Sequence, residues 1–154
     1  NFEKDLPLIP AIPQDIGRVL LNLISNAFYA VSAKDKEGLA GYKPTVVVST
    51  KKINDLIEIR VKDNGNGIPK KVQDKIFQPF FTTKPSGQGT GLGLSICKKI
   101  IDNIGGRIWV EAEFGKGAIF VFSLPKSSRA ESNIKNSNVN INDRIAGQIN
   151  ALIK

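Results

Sequence analysis

The sequence predicts a two-layer α/β sandwich, with one helical layer on one face of a mixed sheet. Three observations carry that expectation. Two stretches repeat apolar residues at helical spacing, four short runs are β-branched or alternate in polarity, and a glycine- and proline-rich excursion separates the two halves. At 154 residues the chain has room for one ordinary core.

Asn1–Ile12 carries Pro7 and Pro10 and reads as an extended lead-in. A helix is expected from Pro13, which suits a first turn, with Asp15 favourably placed against the helix dipole. Ile16, Val19, Leu20, Leu23, Ala27 and Val31 form its apolar stripe. Asn22 and Asn26, four apart, project together at that stripe's margin. Lys34–Pro44, with Gly38 and Gly41, reads as a loop.

Thr45–Thr50 and Leu56–Lys62 read as strands joined by the turn residues Asn54-Asp55. The second strand alternates Ile57, Ile59, Val61 with Glu58, Arg60, Lys62, which leaves Asp63 at its end. Pro69–Ile76 is expected as a short helix. Residues 77–91 hold Pro79, Pro85, Gly87, Gly89 and Gly91, a length of irregular chain that suits a lid. Leu92–Ile104 is a second amphipathic helix, stopped by Gly105-Gly106. Arg107–Glu113 and Ala118–Leu124 form a hairpin closed by Pro125. Residues 1–125 are thus the expected domain. Residues 126–154 are polar and expected to be a disordered tail, although Ile145, Ile149, Leu152 and Ile153 keep helical spacing.

Composition is that of a globular domain, hydrophobic 41% and charged 23%. No apolar run approaches the roughly 20 residues of a membrane helix, and no charged-then-apolar leader opens the chain. No membrane contact is therefore expected of this segment. The single Cys97 excludes an internal disulfide, and a reducing, cytoplasmic setting is the expectation. The net charge of +8 lacks a basic stripe interleaved with aromatics. A polyanionic small molecule fits that charge better than nucleic acid.

Four motifs follow in order: NLISNA (Asn22–Ala27), DNGNG (Asp63–Gly67), PFFTTK (Pro79–Lys84) and GQGTGLGL (Gly87–Leu94). The glycine run is neither a Walker loop nor a dinucleotide fingerprint. It offers unobstructed N–H groups before a helix N-terminus, suited to phosphate, and equally suits a hinge. Asp63 can accept from the exocyclic amine of adenine and would repel the carbonyl of guanine, but Asp-Asn-Gly after a strand is also an ordinary turn. An amide oxygen of Asn22 or Asn26 suits Mg²⁺ otherwise held by phosphates and water, or is simply a polar group beside a core stripe. Lys84 could place a point charge on a phosphate, or be solvated.

Jointly, the motifs resemble the catalytic and ATP-binding domain of two-component sensor histidine kinases, within the group that includes gyrase-, Hsp90- and MutL-type ATPases. The resemblance covers about residues 1–125 and implies the Bergerat-type ATP-binding fold. It implies Asn26 as the metal ligand, Asp63 on adenine with Gly65 and Gly67 beside it, and a lid from Phe77 to Gly93. Asn22, Thr83, Lys84, Gly87, Gly89, Thr90, Gly91, Leu92 and Gly93 are then the further ATP-binding positions. ATP and Mg²⁺ are the implied ligands.

The ATPases of the group keep a water-activating glutamate four residues before the metal asparagine; this chain has Asn22 there. An amide is no general base. The resemblance therefore implies a transferase: a kinase donor in phosphorelay signal transduction, passing the γ-phosphoryl group to a histidine. The chain contains no histidine, so the expected partner is a histidine-bearing dimerisation domain, in a missing N-terminal part or another chain. A response regulator would follow indirectly. A non-catalytic ATP-dependent interaction module and, less well, a gyrase- or Hsp90-type ATPase are the rival readings. Two departures from the family pattern stand out: Ala118 replaces a hydroxyl residue near adenine, and Tyr29 replaces a basic residue.

Overall fold

The computed structural model describes residues 2–126 and 137–153. Its elements follow in the order β1 (Ile9–Ala11), α1 (Pro13–Asp35), β2 (Val46–Ile53), β3 (Leu56–Asp63), α2 (Lys70–Gln73), α3 (Gly93–Asn103), β4 (Arg107–Glu113), β5 (Gly117–Pro125), β6 (Ser137–Val139) and α4 (Ile141–Ile153).

Helix α1 begins where the sequence placed it. Ile12 gives no side-chain cap, but Pro13 has no N–H to leave unpaired, and Asp15 lies in the first turn. The Ile12 carbonyl accepts from Asp15 and Ile16 at 3.1 and 3.3 Å. Ile16, Val19, Leu20 and Leu23 are wholly inaccessible to solvent. By length and hydropathy α1 could cross a membrane, contrary to the expectation that no stretch comes near that. Its apolar residues are instead consumed by the core, packed against the sheet, α3 and α4. Truncating Leu23 to alanine would cost about 2–5 kcal/mol.

The main sheet has the order β2-β3-β5-β4. The two-layer sandwich is as expected, but the sheet is antiparallel throughout and not mixed. The reason is topological. Strands β3 and β4, linked through α3, run the same way, and β5 returns between them, so every neighbouring pair is antiparallel. Ile57, Ile59, Val61, Phe120, Phe122 and Leu124 face the helices and are buried. Asp63 lies opposite both Val46 and Ala118, at the edge of this apolar layer.

The expected disordered tail is corrected over residues 137–153; residues 127–136 lie outside the described ones. Strand β6 pairs antiparallel with β1, Ile9 opposite Val139. Helix α4 packs on α1 with Ile141 and Ile145 fully buried. Asn142 adds a polar tie: its Nδ2 donates to the Glu3 carbonyl at 2.9 Å, and its Oδ1 accepts from Thr50 Oγ1 at 3.2 Å. A few apolar residues at helical spacing are enough to dock a helix onto a preformed stripe, whatever the average polarity around them.

Candidate functional site

One stripe of α1 organises the site. Residues 22, 26, 30 and 34 recur at a spacing of four and so line one face of the helix. Each meets a different part of the molecule. Asn22 lies at the start of α3: a Cβ on Gly93 would sit 3.3 Å from Asn22 Oδ1. Asn26 Oδ1 accepts a hydrogen bond from Lys84 Nζ at 3.0 Å. Ala30 packs so tightly on Gly65 that a Cβ there would come within 2.8 Å of its backbone. Lys34 Nζ donates to the carbonyls of Gly65 at 3.2 Å and Gly115 at 2.8 Å. The loop expected over Lys34–Pro44 begins too early, since α1 runs to Asp35; the repeat of four through positions 22, 26, 30 and 34 is the sequence signal for Lys34.

Asp63 ends β3 with only 3% of its surface exposed. Its Oδ1 accepts from the Gly65 amide at 2.9 Å. Burial pushes its carboxyl above the usual value, while the Gly65 and Ala118 amides and the Lys34 charge pull it down. The rest of the turn is braced from outside. Asn64 Oδ1 accepts from Tyr42 Oη at 3.0 Å and from the Thr45 amide at 2.9 Å. Asn66 Nδ2 donates to Glu37 at 2.6 Å. Gly67 has φ +69°, and a Cβ on it would meet the Glu113 carbonyl oxygen at 2.1 Å. The glycines of this turn therefore already have a structural use, close approach to α1 and to the β4–β5 turn. A depression of about 240 Å³ opens beside Asp63, also bordered by Lys62, Lys116 and Ala118. It is smaller than the roughly 300–1,000 Å³ of a typical ligand pocket.

The lid stretch between α2 and α3 has neither helix nor strand and is held by turns, such as Gln88 N to Pro85 O at 3.0 Å. The resemblance would have Phe77, Phe80 and Phe81 anchor the base of the lid, and Phe77 and Phe81 do pack against the core. Phe80 does not: its ring is 76% exposed. Its backbone has φ +65°, and Gly91 presses beneath it, a Cβ there falling 2.4 Å from the Phe80 carbonyl carbon. The chain turns on the backbone at that point and throws the ring outward.

Lys84 is half-buried, and desolvation lowers its pKa. Its ammonium also lies 4.3 Å from the centre of the Tyr29 ring. Gly89 packs against its side chain, with a Cβ position 3.2 Å from Cδ. Thr83, Gly87 and Thr90 are exposed, and Thr90 Oγ1 accepts from the Leu92 amide at 3.3 Å. Helix α3 opens without a side-chain cap, which leaves its first amides available to an anion. Next to it Cys97 is buried, and burial pushes its thiol up to about 11 against the opposing influence of the Asn22 side chain; its Sγ donates to the Val19 carbonyl at 3.9 Å.

The donor set has a bearing on metal. No cluster of three His, Cys, Asp or Glu exists among the described residues. Asn26 Oδ1 is a hard neutral oxygen. That set fits Mg²⁺ carried in with phosphates and waters, which keeps most of its shell, and does not fit a caged resident ion. Asn26, Lys84, Gly89, Asn22 and Gly93 thus gather along the middle of α1, and Asp63 and Gly65 lie nearer its C-terminal end.

A family model described as histidine kinase-, DNA gyrase B- and HSP90-like ATPase matches residues 11–128. Sensor protein FixL of Bradyrhizobium diazoefficiens is 41% identical over 125 residues, covering 81% of this chain and 23% of that protein. Sensor histidine kinase ZraS of Salmonella typhi is 39% identical over 129 residues, covering 83% of this chain and 25% of that protein. The chain therefore spans about a quarter of the length of these two relatives. Among solved structures, the nucleotide-free catalytic domain of histidine kinase ThkA superposes with a TM-score of 0.63 at 39% identity, covering 77% of this chain and 70% of that one. Full-length ShkA in complex with AMPPNP gives a TM-score of 0.60 at 29% identity, covering 74% and 22%.

Proposed function

Because the chain belongs to the histidine kinase-, DNA gyrase B- and HSP90-like ATPase family, we propose that it binds Mg-ATP and donates the γ-phosphoryl group to a histidine on a separate domain or chain. The observation that carries the donor reading is Asn22. It sits at the start of α3, against Gly93 and Cys97, where the ATPases of the resemblance keep an acid. A neutral amide cannot take a proton from water, so bound ATP survives until a nucleophile arrives.

In this reading Asp63 accepts from the adenine amine, and Lys84 and the uncapped amides of α3 hold the phosphates. Asn26 would hold Mg²⁺, which when bound neutralises charge on the phosphate oxygens. The chain's own contribution is positioning and charge. An acceptor imidazole nitrogen attacks the γ-phosphorus, the bond to the β,γ-bridging oxygen breaks, and ADP leaves with the electron pair. With no histidine in the chain, the acceptor comes from a dimerisation domain elsewhere. A response regulator would take the phosphoryl group next. A cytoplasmic setting, where ATP is plentiful, belongs to the same proposal.

The test uses ATP labelled in the γ-phosphate. Incubated alone, the protein should release phosphate slowly and carry no acid-labile label. Supplied with a histidine-bearing dimerisation domain, it should pass label to that domain. Fast phosphate release would favour an ATPase, and absence of transfer would favour an interaction module. Asp63→Asn should weaken ATP about ten- to hundredfold in calorimetry, the loss of one charged hydrogen bond. Equal affinity would remove Asp63 from the adenine site.

A further inference from the structure

Lys84 is held in an unusual way. None of the ion pairs among the described residues includes it. Its ammonium rests on two neutral partners, the Asn26 amide oxygen at 3.0 Å and the Tyr29 ring at 4.3 Å. Asn26 and Tyr29 are three apart on α1, so one turn of helix presents both to the same cation. Tyr29 makes a second contact with the lid, its Oη lying 3.3 Å from Gln88 Oε1, to which it donates. Gly89 then closes on the Lys84 stem. The lid is fastened to α1 through one aromatic residue and one lysine.

We propose that Tyr29 is a positioning residue for the lid: it parks Lys84 on Asn26 Oδ1 while no nucleotide is bound, so that Lys84 occupies the place a metal would take. This rests on the reading of Asn26 as the metal ligand. Two cations cannot share one amide oxygen at bonding distance without strong repulsion. Lys84 must therefore leave Asn26 before a metal is accepted there. Its departure releases Gly89 and loosens the Tyr29–Gln88 contact. Polyphosphate gives the ammonium a better partner than an amide and a ring, because it carries full negative charge and adds a Coulomb attraction that neither neutral partner can supply. Loading is then an exchange of cations at Asn26, coupled to movement of the lid.

The experiment compares wild type, Tyr29→Phe and Tyr29→Leu by amide exchange without ligand, and by calorimetry with ATP in the presence of Mg²⁺ or of chelator. Tyr29 is 36% exposed on the helix surface, so both variants should fold. Tyr29→Leu removes the ring, and exchange of residues 84–90 should accelerate severalfold in the free protein. Tyr29→Phe keeps the ring on Lys84 and loses only the exposed Gln88 contact, so its exchange should fall between wild type and Tyr29→Leu. Mg-ATP should bind Tyr29→Leu about three- to fivefold more tightly than wild type, the loss of a modest cation–π contact in the free state. ATP in chelator should show no such gain, because Lys84 need not leave Asn26. Lys84→Met should accelerate lid exchange as Tyr29→Leu does, and the double variant should add no more than the loss of the Gln88 contact, less than the sum of the two single effects. Unchanged lid exchange in Tyr29→Leu, or Mg-ATP affinity no tighter than wild type, overturns the proposal. Wild type that binds no ATP under either condition sinks the proposed function and with it the exchange of cations. The comparison of free proteins still decides whether Tyr29 holds the lid.

Discussion

The two ends of the candidate site are held by different means. Around Asp63 the contacts are dense and largely to backbone: Gly65 on Ala30, Gly67 on Glu113, Lys34 on two carbonyls, and Asn64 on Tyr42 and Thr45. Around Lys84 a few side chains, Asn26, Tyr29 and Gln88, tie an otherwise irregular segment to α1. Backbone contacts at van der Waals distance have no alternative arrangement, whereas side-chain contacts to neutral partners can be exchanged. One end is built to keep a shape and the other to give it up.

That contrast orders the expected effects of mutation. Gly67→Ala should be the most damaging, since its Cβ would overlap the Glu113 oxygen and its φ is +69°. A loss of about 3 kcal/mol or more is expected in denaturant unfolding. A variant as stable as wild type would mean that the turn is softer than its contacts imply. Lys34→Met removes a cation from two carbonyls and should cost about 1–1.5 kcal/mol, discounted for partial exposure. No change in its denaturation midpoint would show that Lys34 does not brace the turn.

Asp63→Asn should move stability the other way. Burial raises the native carboxyl above 3.8, so the native state holds its proton more tightly than the unfolded chain and stability falls as pH rises through that window. The asparagine variant should therefore melt higher than wild type at neutral pH. That advantage should vanish as pH falls through the window towards 3.8. A lower melting temperature at neutral pH would mean that the Gly65 and Ala118 hydrogen bonds outweigh desolvation. The smallest effect belongs to the lid: Gln88→Ala should change global stability by less than about 0.5 kcal/mol. A larger change would place the lid in the same cooperative unit as the turn.

What was legible in the sequence follows a similar division. Helix α1, the β2–β3 hairpin and the helix α3 stop at Gly105 are local patterns, and each is found where periodicity and turn residues put it. The spacing of Asn22 and Asn26 placed both on one helical face for the same reason. Lys34 was missed because its role depends on where Gly65 and Gly115 come to rest, which only the register of three strands decides. Tyr29 on Lys84 is likewise a contact between segments far apart in sequence. The antiparallel sheet was misread because β5 enters between strands that sequence order leaves side by side. Over residues 137–153 average polarity outweighs the helical spacing of Ile145, Ile149, Leu152 and Ile153, and gives no sign that Val139 and Ile141 also bury.

The ribbon that joins Ile9 to Val139 also sets an order of assembly. The hairpins β2–β3 and β4–β5 close over tight turns, and such events take about 1–10 μs. The ribbon has to close a loop that contains the whole main sheet, and each doubling of loop length adds only about 0.6 kcal/mol. The greater obstacle is sequence: α4 has no surface to dock on until α1 has settled on the sheet. In folding time β1, β6 and α4 are late arrivals, and on unfolding they are free to peel away while the sheet that carries Asp63 is still intact.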